Sequence, residues 1–126
     1  MKKEKFQIEY PMKSVPVALL WSYISSARSL EQWFADSVRV EGKRYFFSWN
    51  GQEQSAMLLG VRNEVSIRFR WDDDESRSYF EMKISVNELT DETLLTITDF
   101  SDEDDREESC ELWNAQIDAL RRIIGC

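Results

Sequence analysis

The feature that most constrains the fold is a change in the spacing of apolar residues along the chain. From about residue 38 to residue 100, apolar residues alternate with polar ones, as in strands that bury one face. From about residue 102 to residue 124 the spacing becomes three and four, which is typical of an amphipathic helix. This order predicts a sheet of successive strands against which one long helix packs.

A strand and two short helices are predicted before the sheet. Residues 6–12 alternate between apolar and polar, and Pro11 suits a strand at a sheet edge. Ser14 is the expected N-cap of the first helix. The second helix is expected to begin at Ser29, because residues 29–32 have the form of a capping box.

Short turns join the predicted strands. Gly42 with Lys43 is one turn signal, and Asn50-Gly51 is a strong signal for a two-residue hairpin. Connections this short join antiparallel neighbours, since parallel strands need a crossover of about a dozen residues. The sheet is therefore predicted to be antiparallel.

The C-terminal segment is the clearest helix of the sequence. Its apolar stripe consists of Cys110, Trp113, Ile117, Leu120 and Ile124. Acidic residues crowd its start and two arginines lie near its end, which complements the helix dipole. Burying such a stripe requires a large apolar partner, and the aromatic face of the sheet is the expected one.

Length and charge narrow the functional classes. The 126 residues fit one domain over 1–126. A net charge of −8 disfavours nucleic acid, and no apolar run approaches the ~18 residues of a membrane span. No targeting segment is visible, and only Cys110 and Cys126 are present, so we expect a cytoplasmic protein without disulfides.

Histidine is absent from the sequence. Its absence removes the commonest general base and metal ligand, and with it the serine and cysteine triads. The acidic stretches 72–75 and 99–108 lack the spacing of a calcium-binding loop and are predicted to be a solvated loop and a helix start. We therefore predict no metal and no cofactor.

Several segments carry a resemblance to a known family. They are residues 17–21 (Val-Ala-Leu-Leu-Trp), 30–36 (Leu-Glu-Gln-Trp-Phe-Ala-Asp), a strand closed by Trp71, residues 94–98, and Trp113 with Leu120. In this order they resemble the START-like helix-grip (SRPBCC) superfamily, and most of all its branch related to the activators of heat-shock-protein ATPase. In that branch a glycine-containing turn usually follows the Trp-Phe segment, a part that Gly42 suits.

The resemblance implies an α+β helix-grip fold. In it, a curved antiparallel sheet of about six to seven strands, with two short N-terminal helices, holds one long C-terminal helix on its concave face. It also implies a cavity between sheet and helix, which relatives use for lipids, sterols, aromatic polyketides or plant hormones. Some relatives are cyclases or hydrolases, and some bind chaperones.

The inward-facing positions supply the candidate cavity residues. They are Trp33, Phe47, Trp49, Met57, Phe69, Trp71, Met82, Ile97, Asp99, Trp113 and Ile117. Asp99 is included because it continues the phase of Leu95 and Ile97 near a strand end. The alternative is that the apolar members simply pack against one another as a closed core.

The leading functional hypothesis is a non-catalytic module that binds a small apolar or aromatic ligand in this cavity. The alternative is a protein-interaction module, co-chaperone-like or homo-oligomeric, with a filled core and an exposed apolar patch. An enzyme that works without histidine is a further alternative, and it requires a carboxyl group with a raised pKa facing the cavity.

Overall fold

A computed structural model describes residues 3–74 and 77–126 of the chain. Its elements, in chain order, are β1 (Glu4–Pro11), α1 (Val17–Ile24), α2 (Ala27–Trp33), β2 (Ser37–Glu41), β3 (Arg44–Trp49), β4 (Gln52–Arg62), β5 (Ser66–Trp71), β6 (Phe80–Val86), β7 (Thr93–Ser101), a short 3-10 turn (Glu103–Asp105) and α3 (Arg106–Ile124).

The strands form one antiparallel sheet in the order β1-β7-β6-β5-β4-β3-β2. The N-terminal strand β1 pairs with the last strand, β7, so β1 and β2 are the two edges. Pro11 lies in edge strand β1, where a missing backbone N–H is tolerated. The predicted α+β class, with two short helices, an antiparallel sheet and one long C-terminal helix, is confirmed.

Two-residue turns set the register of the β2–β3 and β3–β4 hairpins. Asn50 and Gly51 have φ values of 52° and 81°, so both adopt the left-handed conformation that a type I′ turn needs. Gly42, with a φ of 62°, begins the β2–β3 turn. The turn residues predicted from the sequence therefore lie where the chain reverses.

The helix starts differ from the prediction. The N-cap of α1 is Pro16, without a side-chain cap, rather than Ser14. Helix α2 begins at Ala27, about one turn before the start expected from the capping box at residues 29–32. Its N-cap is Ser26, whose Oγ accepts a 3.2 Å hydrogen bond from the backbone N–H of Ser29. Ser29 is thus the residue whose N–H is capped and not the capping residue.

Helix α3 packs its stripe onto the inner face of the sheet, the face that carries Tyr10, Phe80 and Asp99. Trp113 and Ile117 are buried, and Tyr10 Oη of β1 donates a 2.6 Å hydrogen bond to Asn114 Oδ1. The helix ends at Gly125, whose φ of 92° suits a left-handed C-cap. None of the helices in the described part of the chain is long and apolar enough to cross a membrane.

Candidate functional site

One end of the sheet gathers polar and aromatic side chains opposite α3. Because neighbouring strands run antiparallel, the ends of β3, β5 and β7 meet the starts of β4 and β6 there. Trp49, Trp71 and Asp99 come from the three strand ends, and Gln54 and Phe80 from the two starts. The fold thus brings together residues that lie far apart in sequence.

An open cleft of about 510 Å³ lies between this end of the sheet and the first half of α3. Its lining residues come from the sheet, from α3 and from the end of α2: Phe34, Trp49, Asn50, Gln54, Trp71, Phe80, Asp99, Leu112, Trp113 and Gln116. This volume lies within the range of small-molecule sites.

Five aromatic rings of the cleft contact one another in a closed circuit. Ring centroids are 5.5 Å apart for Phe34 and Trp49, 6.0 Å for Trp49 and Trp71, and 5.1 Å for Trp71 and Phe80. Trp113 closes the circuit at 6.0 Å from Phe80 and 5.8 Å from Phe34. We call these five residues the aromatic circuit.

The backbone carbonyl of Phe34 ties the walls of the cleft together. It accepts a 2.8 Å hydrogen bond from Trp49 Nε1 on β3 and a 3.0 Å hydrogen bond from Gln116 Nε2 on α3. One oxygen at the end of α2 therefore fixes a strand and a helix, which positions the Trp49 indole and the Gln116 amide against the cleft.

Among the described residues, Asp99 is the one ionisable residue that lines the cleft. Its Oδ2 accepts a 2.8 Å hydrogen bond from Trp113 Nε1, and its Oδ1 accepts a 2.7 Å hydrogen bond from the backbone N–H of Phe100. Burial raises the pKa of the Asp99 carboxyl, and these two hydrogen bonds offset part of that rise. Asp99 is thus a carboxyl whose ionisation its surroundings disfavour.

A second groove of about 480 Å³ adjoins the cleft. It runs between the end of α2 and the outer turns of α3, and it shares Phe34, Trp49, Leu112 and Gln116 with the cleft. Trp33 lies in this groove, where its Nε1 donates a 2.9 Å hydrogen bond to the carbonyl of Tyr23.

Of the predicted cavity residues, Trp49, Trp71, Asp99 and Trp113 line the cleft, and Trp33 lines the adjoining groove. Five others are fully buried, line neither space and pack as the core behind them: Phe47, Phe69, Met82, Ile97 and Ile117. These five residues therefore lie as the alternative expected, packed in a closed core and not along a cavity.

The prediction that Met57 faces the helix is wrong. Met57 stands opposite Arg44 and Arg70 on the outer face, whereas its neighbour Ala56 is fully buried between Tyr45 and Trp71. The prediction followed the large apolar residues of β4, Met57 and Leu59. The inner face holds the small Ala56 instead, which leaves room for the surrounding aromatic rings.

The residues that sequence reasoning missed lie next to motifs it identified. Phe34 follows Trp33 in the Trp-Phe segment, Phe80 begins the predicted strand β6, and Gln116 lies one helical turn after Trp113. Leu112, which is 63% exposed, falls outside the buried stripe of α3. A search for polar residues one turn from each aromatic would have found Gln116.

A third concavity, of about 420 Å³, lies on the outer face of the sheet beside the irregularity between Leu58 and Gly60. Arg68 and Glu81 of its lining form an ion pair at 2.8 Å across β5 and β6. Paired charges on an open strand surface satisfy one another, so the cleft is the stronger site candidate.

In the described ranges, 3–74 and 77–126, no three of the residue types Cys, Asp and Glu come close enough to hold a metal ion. The predicted acidic loop 72–75 falls only partly within these ranges, since residue 75 lies outside them. The acidic stretch from Asp99 to Glu108 contains the end of β7, the 3-10 turn and the start of α3.

Comparison with known proteins links this architecture to a family. The START-like superfamily domain matches residues 1–126, the whole chain. No curated protein matches the chain.

Solved structures show the same fold. The solution structure of the Bacteroides fragilis protein BfR322 is 43% identical, with a TM-score of 0.69 over 98% of this chain and 92% of that one. A Bacillus thuringiensis protein has 12% identity and a TM-score of 0.78, covering 99% and 100% of the two chains. The Aha1 dimer of Colwellia psychrerythraea has 11% identity and a TM-score of 0.74, covering 98% and 96%.

Proposed function

The chain belongs to the START-like superfamily, and from this premise we propose that it is a non-catalytic binding module for a small apolar or aromatic ligand. The observation that carries the proposal is the cleft, which the aromatic circuit lines beside a few polar groups; Trp49 and Trp71 are partly exposed there, and the other three rings are buried. Apolar walls with few convergent polar groups are the usual composition of a ligand site.

The polar groups favour binding over catalysis. Besides Asp99, the polar side chains among the described lining residues are those of Asn50, Gln54 and Gln116, and all three are amides. Amides donate and accept hydrogen bonds but do not exchange protons near neutral pH. The carboxyl of Asp99, with its raised pKa, is the feature that the enzyme alternative requires, but the lining residues in ranges 3–74 and 77–126 include no second acid or base.

The size of the cleft sets the size of the ligand. The closed core of Phe47, Phe69 and Met82 lies behind the aromatic circuit, so the ligand is held at the mouth of the fold. A space of about 510 Å³ suits a compound of one to a few rings.

The protein-interaction alternative rests on one observation. Leu112 is 63% exposed on α3 and borders both the cleft and the adjoining groove. A partner protein that inserts a side chain between α2 and α3 would cover it. Ala115→Asp, which lies in the groove but not in the lining of the cleft, would then abolish complex formation and leave the binding of small ligands in the cleft largely intact.

Native mass spectrometry of freshly purified protein and calorimetric titration with naphthalenemethanol, a neutral aromatic probe, test the proposal. We expect a co-purified small molecule or saturable binding of the probe. Trp49→Leu, which removes one wall of the cleft, should weaken binding about tenfold, as expected for a lost aromatic contact. Trp21→Leu removes an indole of α1 outside the cleft and is the matched control. No binding by the wild type, or equal loss in both variants, would refute the proposal.

A further inference from the structure

The carboxylate of Asp99 has no cationic partner in the described part of the chain. No lysine or arginine among those residues lies within 4.0 Å of its oxygens, although other acids of the protein form such pairs. Each oxygen accepts one hydrogen bond, from Trp113 Nε1 or from the N–H of Phe100. An ionised carboxylate offers about four lone-pair positions, so Asp99 can accept further donors from the cleft.

The aromatic circuit supplies the second half of a cation site. Indole and phenyl faces carry negative potential and attract cations, with Trp the strongest of the three aromatic types. Three of the five members are tryptophans: Trp49, Trp71 and Trp113. A cationic group placed at Asp99 therefore has these rings as neighbours as well as the carboxylate.

Trp71 adds an unused donor. The N–H groups of the other two cleft tryptophans are occupied, by the carbonyl of Phe34 for Trp49 and by Asp99 for Trp113. Trp71 is half-buried, and among the described residues its Nε1 donates to no acceptor. The NMR signal of the Trp71 indole N–H is therefore expected to change when a ligand binds in the cleft.

The charges around the cleft reinforce the preference. Lys3 and Asp74 are the charged groups that act on Asp99 from outside the cleft, and they pair with each other at 3.4 Å. The start of α3 above the cleft is acidic, and the chain carries a net charge of −8. An anionic ligand would meet repulsion here, whereas a cation would be attracted.

We propose, resting on the proposed function, that the cleft selects planar aromatic amines, with the ammonium group donating to Asp99 and the ring lying against the aromatic circuit. The cation takes the place that a lysine or arginine would fill in an internal ion pair. Because burial without a cation raises the pKa of Asp99, an ammonium ligand lowers that pKa again when it binds.

Three probes that share one ring test the charge preference: naphthylmethylamine, a cation near neutral pH; naphthalenemethanol, which is neutral; and naphthoate, an anion. Calorimetric titration of each gives its affinity. The amine is expected to bind about tenfold more tightly than the alcohol, and the acid more weakly than both. In two-dimensional NMR spectra, the indole N–H signal of Trp71 is expected to shift.

Two variants test whether the preference for the amine over the alcohol comes from Asp99. Asp99→Asn removes the charge at nearly constant size, and the amine should then lose most of its advantage over the alcohol, keeping only the part that the ring faces supply. Glu88→Gln removes the same charge from an exposed loop and should keep the tenfold preference. Trp49→Leu should weaken the amine and the alcohol together, which remains informative if Asp99→Asn fails to fold.

The outcomes separate the two proposals. Equal affinities for the three probes, or an amine preference as large in Asp99→Asn as in the wild type, would overturn the charge selectivity and leave the binding module standing. Failure of the wild type to bind any of the three would overturn both. A preference largely lost in Asp99→Asn and kept in Glu88→Gln supports the inference.

Discussion

The indole Nε1 of Trp113 donates a 2.8 Å hydrogen bond to Oδ2 of Asp99, which joins the middle of α3 to the end of the last strand. Both residues line the cleft, and Trp113 is otherwise buried in the core. This bond fixes the helix over the sheet and also holds the carboxyl in place. Stability and the candidate site are therefore linked through one contact.

Trp113→Phe removes the donor and keeps an aromatic ring. We expect it to lower the free energy of unfolding by about 2 kcal/mol, since a buried carboxyl loses a hydrogen bond. The pKa of Asp99 should rise further, because the bond from Trp113 lowers it in the native protein. Urea unfolding and a carboxyl NMR titration measure the two effects.

Trp33→Phe is the control for this substitution. It also loses an indole hydrogen bond, to the carbonyl of Tyr23, but that bond does not involve Asp99. It should therefore destabilise the protein and leave the Asp99 titration unchanged. An Asp99 titration that is the same in Trp113→Phe as in the wild type would contradict the role assigned to the bond.

The raised pKa of Asp99 predicts a pH dependence of stability. Its ordinary value is 3.8, and burial raises it in the folded state. Between the unfolded and folded pKa values the native state holds more protons, so this group's contribution to stability falls as pH rises through that window. Asp99→Asn cannot ionise, so its stability relative to the wild type should increase as the pH rises above the ordinary pKa of 3.8.

Urea unfolding at a series of pH values measures this slope. The hydrogen bonds that Asn makes less well than Asp shift the difference by an amount that does not depend on pH, so the slope is the informative quantity. Glu88→Gln, with the same change in net charge on an exposed loop, is subtracted as the control. A stability difference that decreases with pH would contradict the prediction.

The carbonyl of Phe34 predicts a non-additive pair of substitutions. Trp49→Phe and Gln116→Leu each leave the carbonyl one of its two donors, so each alone should cost about 1 kcal/mol. Together they leave a buried acceptor unsatisfied, and the double variant should cost at least about 1 kcal/mol more than the sum. Urea unfolding of the four proteins gives the coupling energy.

A second cycle controls for chance coupling. Gln7 donates a 3.1 Å hydrogen bond to Thr98 Oγ1 and shares no partner with Trp49. Gln7→Leu and Trp49→Phe should therefore add to within about 0.5 kcal/mol. Additivity in both cycles would show that Phe34 does not couple β3 to α3.

The sequence was sufficient for the order and type of the elements, because each has a strong period. Apolar residues alternate in β5 and form a stripe in α3 that includes Trp113 and Ile117. Both patterns follow from which side chains are buried, so they can be recognised in the sequence. The START-like family, inferred from the order of these elements, is confirmed.

Cleft and core could not be separated from the sequence. Trp71 and Phe69 alternate with the same partners in β5, yet Trp71 lines the cleft and Phe69 is fully buried. The difference is set by distance along the strand from the end that α3 leaves open. That distance depends on strand register and helix position, which are tertiary properties.

The register of β4 provides the last prediction, since it is the place where the apolar pattern misleads. Ala56→Leu should cost about 1–3 kcal/mol, because Ala56 is fully buried between Tyr45 and Trp71 and a larger side chain overpacks that space. Met57→Gln should change stability by no more than about 0.5 kcal/mol, since Met57 lies on the outer face between two arginines. Thermal unfolding of the two variants compares adjacent positions. The opposite ranking, with Met57→Gln the more damaging, would mean that β4 pairs one residue out of the register described.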